Sequence, residues 1–160
     1  MSGVAQHTVP DAQAKTRLRL WLRLLKISRR IEAELRDNLR REFASTLPRF
    51  DVMAALSRYE KGLKMSGLSG VLKVSNGNVT GIVDRLVEDG FVMRVPVPGD
   101  RRASLVRLTR SGRAAFVQQA EAHERWVNQL LRGFSAAEAQ SVSDLLEAVM
   151  QTNVEEKASL

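Results

Sequence analysis

Between Thr16 and Phe43 the apolar residues Leu20, Leu24, Ile27, Ile31, Leu35, Leu39 and Phe43 recur three or four apart, with Arg and Glu between them. That spacing predicts one long amphipathic helix. A second apolar set, Leu18, Trp21, Leu22 and Leu25, widens the stripe near its start and predicts an end buried on two sides, as at a subunit contact. Thr46-Leu47-Pro48 supplies a cap and a first-turn proline, so a second helix is expected to about Glu60. Lys61-Gly62-Leu63-Lys64 breaks it, and a short third helix follows over 65–72 with Leu68, Val71 and Leu72 on its apolar side. Ser75-Asn76-Gly77-Asn78 is rich in capping residues; behind it Val79, Ile82, Val83 and Leu86 repeat at helical spacing until Gly90, which predicts a fourth helix and its stop.

The pattern then changes period. Residues 91–95 and 105–108 are short β-prone runs separated by Pro96, Pro98, Gly99, Asp100 and Arg101, which predicts a hairpin with a long basic tip and no other strands in the chain. Helical spacing returns from Thr109 to Leu131, and Ser135-Ala136-Ala137-Glu138 is a capping box opening a last helix through Val142, Leu145, Leu146, Val149 and Met150. The expected fold is mainly α with a small β wing: a winged helix-turn-helix over about 47–112, joined to a helical dimerisation region over about 16–45 and 113–155, all one domain. The first and last ten or so residues are expected to fray.

Composition narrows the chemistry. With 160 residues, 44% of them hydrophobic, the chain can bury a core without disulfides or a structural metal. It has no Cys, which excludes disulfides, thiolate metal sites, cysteine nucleophiles and thiol redox sensing. No signal-like segment and no apolar run near the roughly 18 residues of a membrane span is found, so a cytoplasmic protein is expected. The two His residues, His7 and His123, make no ligand set, and no phosphate-binding glycine pattern occurs. Neither an enzyme nor a cofactor is expected.

The net charge of +7 hides an asymmetry. Residues 1–60 carry 12 basic against 7 acidic side chains, residues 61–113 carry 10 against 4, and residues 114–160 carry 3 against 7. A basic middle segment fits a polyanion such as nucleic acid, although an anionic membrane or plain solubility gives the same count. The helix pattern favours double-stranded DNA. A short helix, a tight turn and a second helix can enter a major groove if the outer face of the second is small and polar. Rotation by about 100° per residue from the inward stripe Val79, Ile82, Val83 and Leu86 puts Gly77, Asn78, Gly81, Asp84 and Arg85 outside and Thr80 at the flank. Asn pairs with adenine and Arg with guanine, Ser75 and Thr80 suit phosphate oxygens, and Asn76 is a further candidate DNA contact. Arg101 and Arg102 on the wing can reach a narrow minor groove. A capped surface helix and a solvated hairpin tip are the plain structural alternatives.

These residues resemble the MarR family of winged-helix transcriptional regulators. The wing signature Asp-x-Arg, five residues, Leu-Thr, two residues, Gly is present as Asp100, Arg102, Leu108, Thr109 and Gly112, together with Asn78-Val79-Thr80, Asp84-Arg85-Leu86 and Glu88-Asp89-Gly90-Phe91-Val92. The resemblance implies a homodimer that carries one winged helix per subunit to a palindromic operator. Trp21-Leu22-Arg23-Leu24-Leu25, Thr46 to Asp51 and His123-Glu124-x-Trp126 are similar to regulators of hydroxycinnamate and related aromatic-acid catabolism, which implies a repressor released by an aromatic acyl-CoA thioester or a phenolic acid. Trp21, Phe50, Met53, Phe116, His123 and Trp126 would line an apolar cleft for that effector, and Arg36, Arg40 or Arg41 would meet its phosphates. Ordinary core and a solvated helix face are the alternatives for the same residues. A non-specific architectural DNA binder without a ligand is the rival function.

Overall fold

The computed structural model describes residues 12–73 and 76–158, with side chains over 12–73 and 77–152. The chain order is α1 (Ala12–Phe43), α2 (Leu47–Ser57), β1 (Leu63–Lys64), α3 (Met65–Leu72), α4 (Asn76–Glu88), β2 (Val92–Val97), β3 (Asp100–Leu108), α5 (Arg110–Leu130) and α6 (Ala136–Ala158). Two compact units divide it, Met1–Glu121 and Ala122–Leu160. The fold is mainly α with a small antiparallel sheet, as the periodicity predicts.

The first unit is organised by the inner faces of its short helices. Val52, Met53, Ala55 and Leu56 of α2, Leu68 of α3, Val79, Val83 and Leu86 of α4, and Val92, Val106 and Leu108 of the sheet form one buried cluster. Those α4 residues are the stripe expected from sequence, with Ile82 partly buried beside them. Thr46 caps α2 by accepting from the Arg49 N–H at 3.3 Å, and Pro48 sits in the first turn, where its missing N–H costs nothing. At α1 only Leu35 and Leu39, near the C-terminal end, are buried, and this end packs on α2.

α1 closes with two backbone bonds, Ala44 N–H to Arg40 O at 3.1 Å and Ser45 N–H to Leu39 O at 3.2 Å. This closing pattern needs a left-handed residue, and Ala44 takes it at φ 48°. Glycine adopts that conformation without the Cβ penalty. Ala44→Gly is therefore expected to raise stability by about 0.5–1 kcal/mol, read as a higher urea midpoint at unchanged slope.

Three expectations need correction. The hairpin is not the whole sheet: β1 pairs with β3 through Leu63↔Val106 and Lys64↔Leu105, giving the order β1-β3-β2. Two residues are too few to show a period. The approach also requires glycine, because Gly62 has φ +92° and a Cβ there would lie 2.8 Å from Val106 O. Second, the wing tip is short, not long. Pro98 and Gly99 alone make the turn, with Gly99 at φ +82°, the geometry of a Pro-Gly type II turn. Third, α1 starts at Ala12, before Thr16, and α2 ends at Ser57, before Glu60.

In the second unit the capping box forms as expected. The Ser135 N–H and hydroxyl both donate to Glu138 Oε2 at 2.8 Å, and the Glu138 N–H donates back to Ser135 Oγ at 3.3 Å. These bonds to Ser135, backbone first, hold the Glu138 carboxyl below the usual carboxylate range. Along α6, Val142, Leu145, Leu146, Val149 and Met150 are all exposed.

Candidate nucleic-acid interface

α3 ends on another left-handed residue, Lys73 at φ 54°, and α3 and α4 share the core through Leu68, Val79 and Val83. Ser75 lies outside the described residues, and Asn76 begins α4 with its side chain outside them. Of the remaining predicted reading residues, Asn78, Thr80 and Arg85 are all exposed on one side of α4, opposite Val79, Val83 and Leu86. Gly77 and Gly81 stand on the same outer side with open space around them, so a duplex could approach the helix backbone closely there.

The wing stands beside this face. Its register runs regularly from Val92↔Leu108 to Pro96↔Ser104 and then jumps to Val97↔Asp100, so that Arg101, Arg102 and Ala103 have no partner on β2. Both arginines are exposed and sit in a bulge of β3 just past the turn. Extra residues on one strand increase twist and re-aim side chains, which explains how arginines in a strand still point from the wing. Asp100 shapes the bulge by accepting the Arg102 N–H at 2.9 Å.

Sequence reasoning missed one residue here. Arg94 of β2 donates to Asp84 of α4 at 2.5 Å, bridging wing and helix across the outer face. The carboxylate on that face is thus paired with a cation, which matters next to phosphates. The signal was the Asp84-to-Arg94 placement, recoverable only once the strand's direction is known. A second ion pair, Arg49 to Asp89, ties the start of α2 to the end of α4.

Thr109 fastens the other end of the wing. Its hydroxyl donates to Gly90 O at 2.6 Å and accepts the Gly112 N–H at 2.9 Å, while its own N–H donates to Phe91 O at 3.0 Å. The Asp, Thr and Gly of the signature therefore build the wing, while the side chain of its arginine, Arg102, is exposed.

The predicted effector residues are distributed more widely. Trp21, Arg36 and Arg40 are exposed on α1, with Arg40 4.0 Å from Asp37. Phe50 is buried against Phe116, ring centroids 5.7 Å apart, and Met53 is wholly buried in the core of the head. His123 and Trp126 belong to the second unit and are partly buried. The head also has an open groove of about 390 Å³ lined by Pro48, Asp51, Val52, Leu72, Asn78, Val79 and Ile82, a volume at the small end of ligand sites. Asn78 belongs to both the groove and the outer face.

A model of the MarR family matches residues 45–104. The "Transcriptional activatory protein BadR" of Rhodopseudomonas palustris is 32% identical over 82% of this chain and 77% of its own. The crystal structure of a MarR family transcriptional regulator from Silicibacter pomeroyi is 35% identical at a TM-score of 0.74, covering 89% of this chain and 98% of that one. The chain belongs to the MarR family. Like the family's other members it is a DNA-binding transcriptional regulator with a winged helix-turn-helix, not an enzyme. A mutant of E. coli MarR complexed with operator DNA superposes at a TM-score of 0.72 with 27% identity, over 81% of this MarR-family chain and 92% of that one. No described helix is long and apolar enough to cross a membrane, and among the described residues no group of three or more His, Asp or Glu could hold a metal ion.

Proposed function

We propose that the protein is a homodimeric repressor that reads a palindromic operator and is released by a small aromatic effector, an aromatic acid or its CoA thioester. The carrying observation is the exposed polar face of α4, with Asn78, Thr80 and Arg85 beside a wing whose bulge presents Arg101 and Arg102. Ser75 and Asn76, which precede Asn78 in the sequence, remain candidate DNA contacts by residue type. Dimerisation is supported by apolar side chains exposed on the helices expected to form it: Leu18, Trp21 and Leu22 on α1, and Leu145, Val149 and Met150 at 68%, 60% and 67% exposure on α6. Such exposure on a free chain marks an interaction surface. Two reading helices about 34 Å apart would then meet successive major-groove segments on one face of the duplex.

For the effector, the open groove beside Asn78 is one candidate cavity of the first unit. A ligand seated on Leu72, Val79 and Ile82 would stand against the reading helix, and one preferring the non-binding geometry by about 1–3 kcal/mol would weaken operator binding roughly 5- to 150-fold. For the larger thioester the candidates from sequence remain Trp21, Phe50, Met53 and Phe116, with Arg36 and Arg40 for phosphates, in the first unit, and separately His123 and Trp126 in the second.

Mobility-shift titration on palindromes upstream of its own gene, with and without free aromatic acids and their CoA thioesters, tests the whole reading. Salt-dependent binding that a ligand weakens is expected; no such binding to any palindrome overturns it. Transcription from a bound promoter should fall, whereas a rise would make the protein an activator. A ligand at 100 times its Kd should also add about 2.7 kcal/mol of thermal stability, and a shift by free acids alone removes the thioester. Asn78→Ala is expected to cost about 1–3 kcal/mol on the operator and to relax base preference. Arg102→Ala should weaken all sequences alike and lower the salt slope by about one. Equal losses on every sequence for Asn78→Ala would place it on the backbone.

A further inference from the structure

The amino-terminal half of α1 carries a second basic surface that the operator reading does not use. Between Ala12 and Ile31 there are seven Lys and Arg residues and no carboxylate. At about 100° per residue, Lys15, Arg19, Arg23, Lys26, Arg29 and Arg30 fall within an arc of about 120°. All six are exposed, and among the described residues none of them forms an ion pair. Leu18, Leu20, Trp21, Leu24, Leu25, Ile27 and Ile31 lie outside this arc, and Leu22 lies within it. The ridge rises about 22 Å from Lys15 to Arg30, one cation per turn or more.

Such a ridge works against its own helix. Like charges three and four apart repel, and cations in the first turns face the positive end of the helix dipole with no acidic residue there to offset it. A counter-charge from outside would relieve both. The only buried residues of α1 are Leu35 and Leu39, so the ridge stands on the half of the helix away from the contact with α2.

We propose that this ridge is a sequence-independent binding site for the phosphate backbone of a second DNA duplex, separate from the operator contact. Four of the six cations are Arg, whose planar forks match phosphate oxygens, and a stripe of cations along one helix face is the footprint expected for nucleic acid. An anionic membrane would need apolar side chains beside the charge. Apart from Leu22, the large apolar side chains of this half of α1 lie outside the arc of cations, and on the reading above Leu18, Trp21 and Leu22 are taken by the subunit contact. A regulator holding its operator in the reading heads and another segment on α1 would bridge two stretches of DNA.

The test uses the full chain and the variant Arg19→Gln/Arg23→Gln/Lys26→Gln/Arg30→Gln, with helix content checked by circular dichroism. Bead-bound operator saturated with wild-type protein should capture a labelled unrelated duplex at low salt. The variant should lose that capture at least tenfold while keeping operator affinity within about twofold, and its salt slope for the unrelated duplex should fall by about three to four. Capture undiminished in the variant, operator affinity lost in parallel, or wild-type binding to phosphatidylserine vesicles with no capture of duplex would each overturn the proposal. Should no operator be found, the salt slope on unrelated duplex still tests the ridge, so failure of the operator reading is told apart from failure of this one.

Discussion

Gly112→Ala is expected to destabilise the first unit by about 3 kcal/mol or more, the largest loss expected of any glycine-to-alanine change among the described residues. A Cβ at Gly112 would stand 1.9 Å from Phe91 O and 2.8 Å from Phe91 C, well inside contact distance. Backbone must move, and here it is pinned on both sides. The Phe91 N–H donates to Leu86 O at 2.9 Å and the Phe91 carbonyl accepts from Thr109 at 3.0 Å. Retreat would break the joint between α4, the wing and α5, whereas ordinary overpacking at about 1–3 kcal/mol is relieved by side chains. Gly81→Ala supplies the contrast. It lies inside α4 with nothing within 4 Å, so the added methyl should stabilise by about 0.5–1 kcal/mol through helix propensity. Urea unfolding of both variants checks the pair, and a loss below about 1 kcal/mol for Gly112→Ala would show that the Phe91 carbonyl can yield.

This joint also marks where the sequence stopped being readable. The helices were legible because each has a buried stripe that repeats every three or four residues: Val79, Val83 and Leu86 are buried while Asn78, Thr80 and Arg85 are exposed, as rotation about one axis requires. β1 was not, since two residues cannot display a period. The prolines misled at the wing, where Pro96 and Pro98 read as loop. β2 is an edge strand in the order β1-β3-β2, and an edge tolerates a residue with no N–H to donate. The signature Asp100, Arg102, Thr109 and Gly112 was visible as a spacing, yet the division of labour within it was not. That Asp100 shapes the bulge and Gly112 admits the Phe91 carbonyl depends on contacts between segments that periodicity does not relate. For the same reason Phe50 and Met53, aromatic and polarizable residues fit for a pocket by type, gave no hint of their depth in the core.

Arg94→Ala is expected to weaken operator binding by tenfold or more, about 1.4 kcal/mol, although Arg94 is no part of the predicted reading set. Asp84 sits on the outer face of α4 with its side chain 54% exposed, and Arg94 is the cation beside it. Removing the guanidinium does two things at once: it takes a positive charge from the surface nearest the phosphates and leaves a bare carboxylate facing them, where like charge suppresses binding. Folding should barely change, because half-exposed ion pairs contribute about 0–1 kcal/mol. The two causes separate in a double-mutant cycle. Asp84→Asn/Arg94→Ala removes the carboxylate as well and should recover part of the affinity, whereas Asp84→Asn alone should bind at least as tightly as wild type. Titrations of the four proteins on one operator at fixed salt decide it. If the double variant binds no better than Arg94→Ala, the lost cation alone matters; if Arg94→Ala binds like wild type, the pair lies outside the field of the phosphates and the wing is oriented differently on DNA.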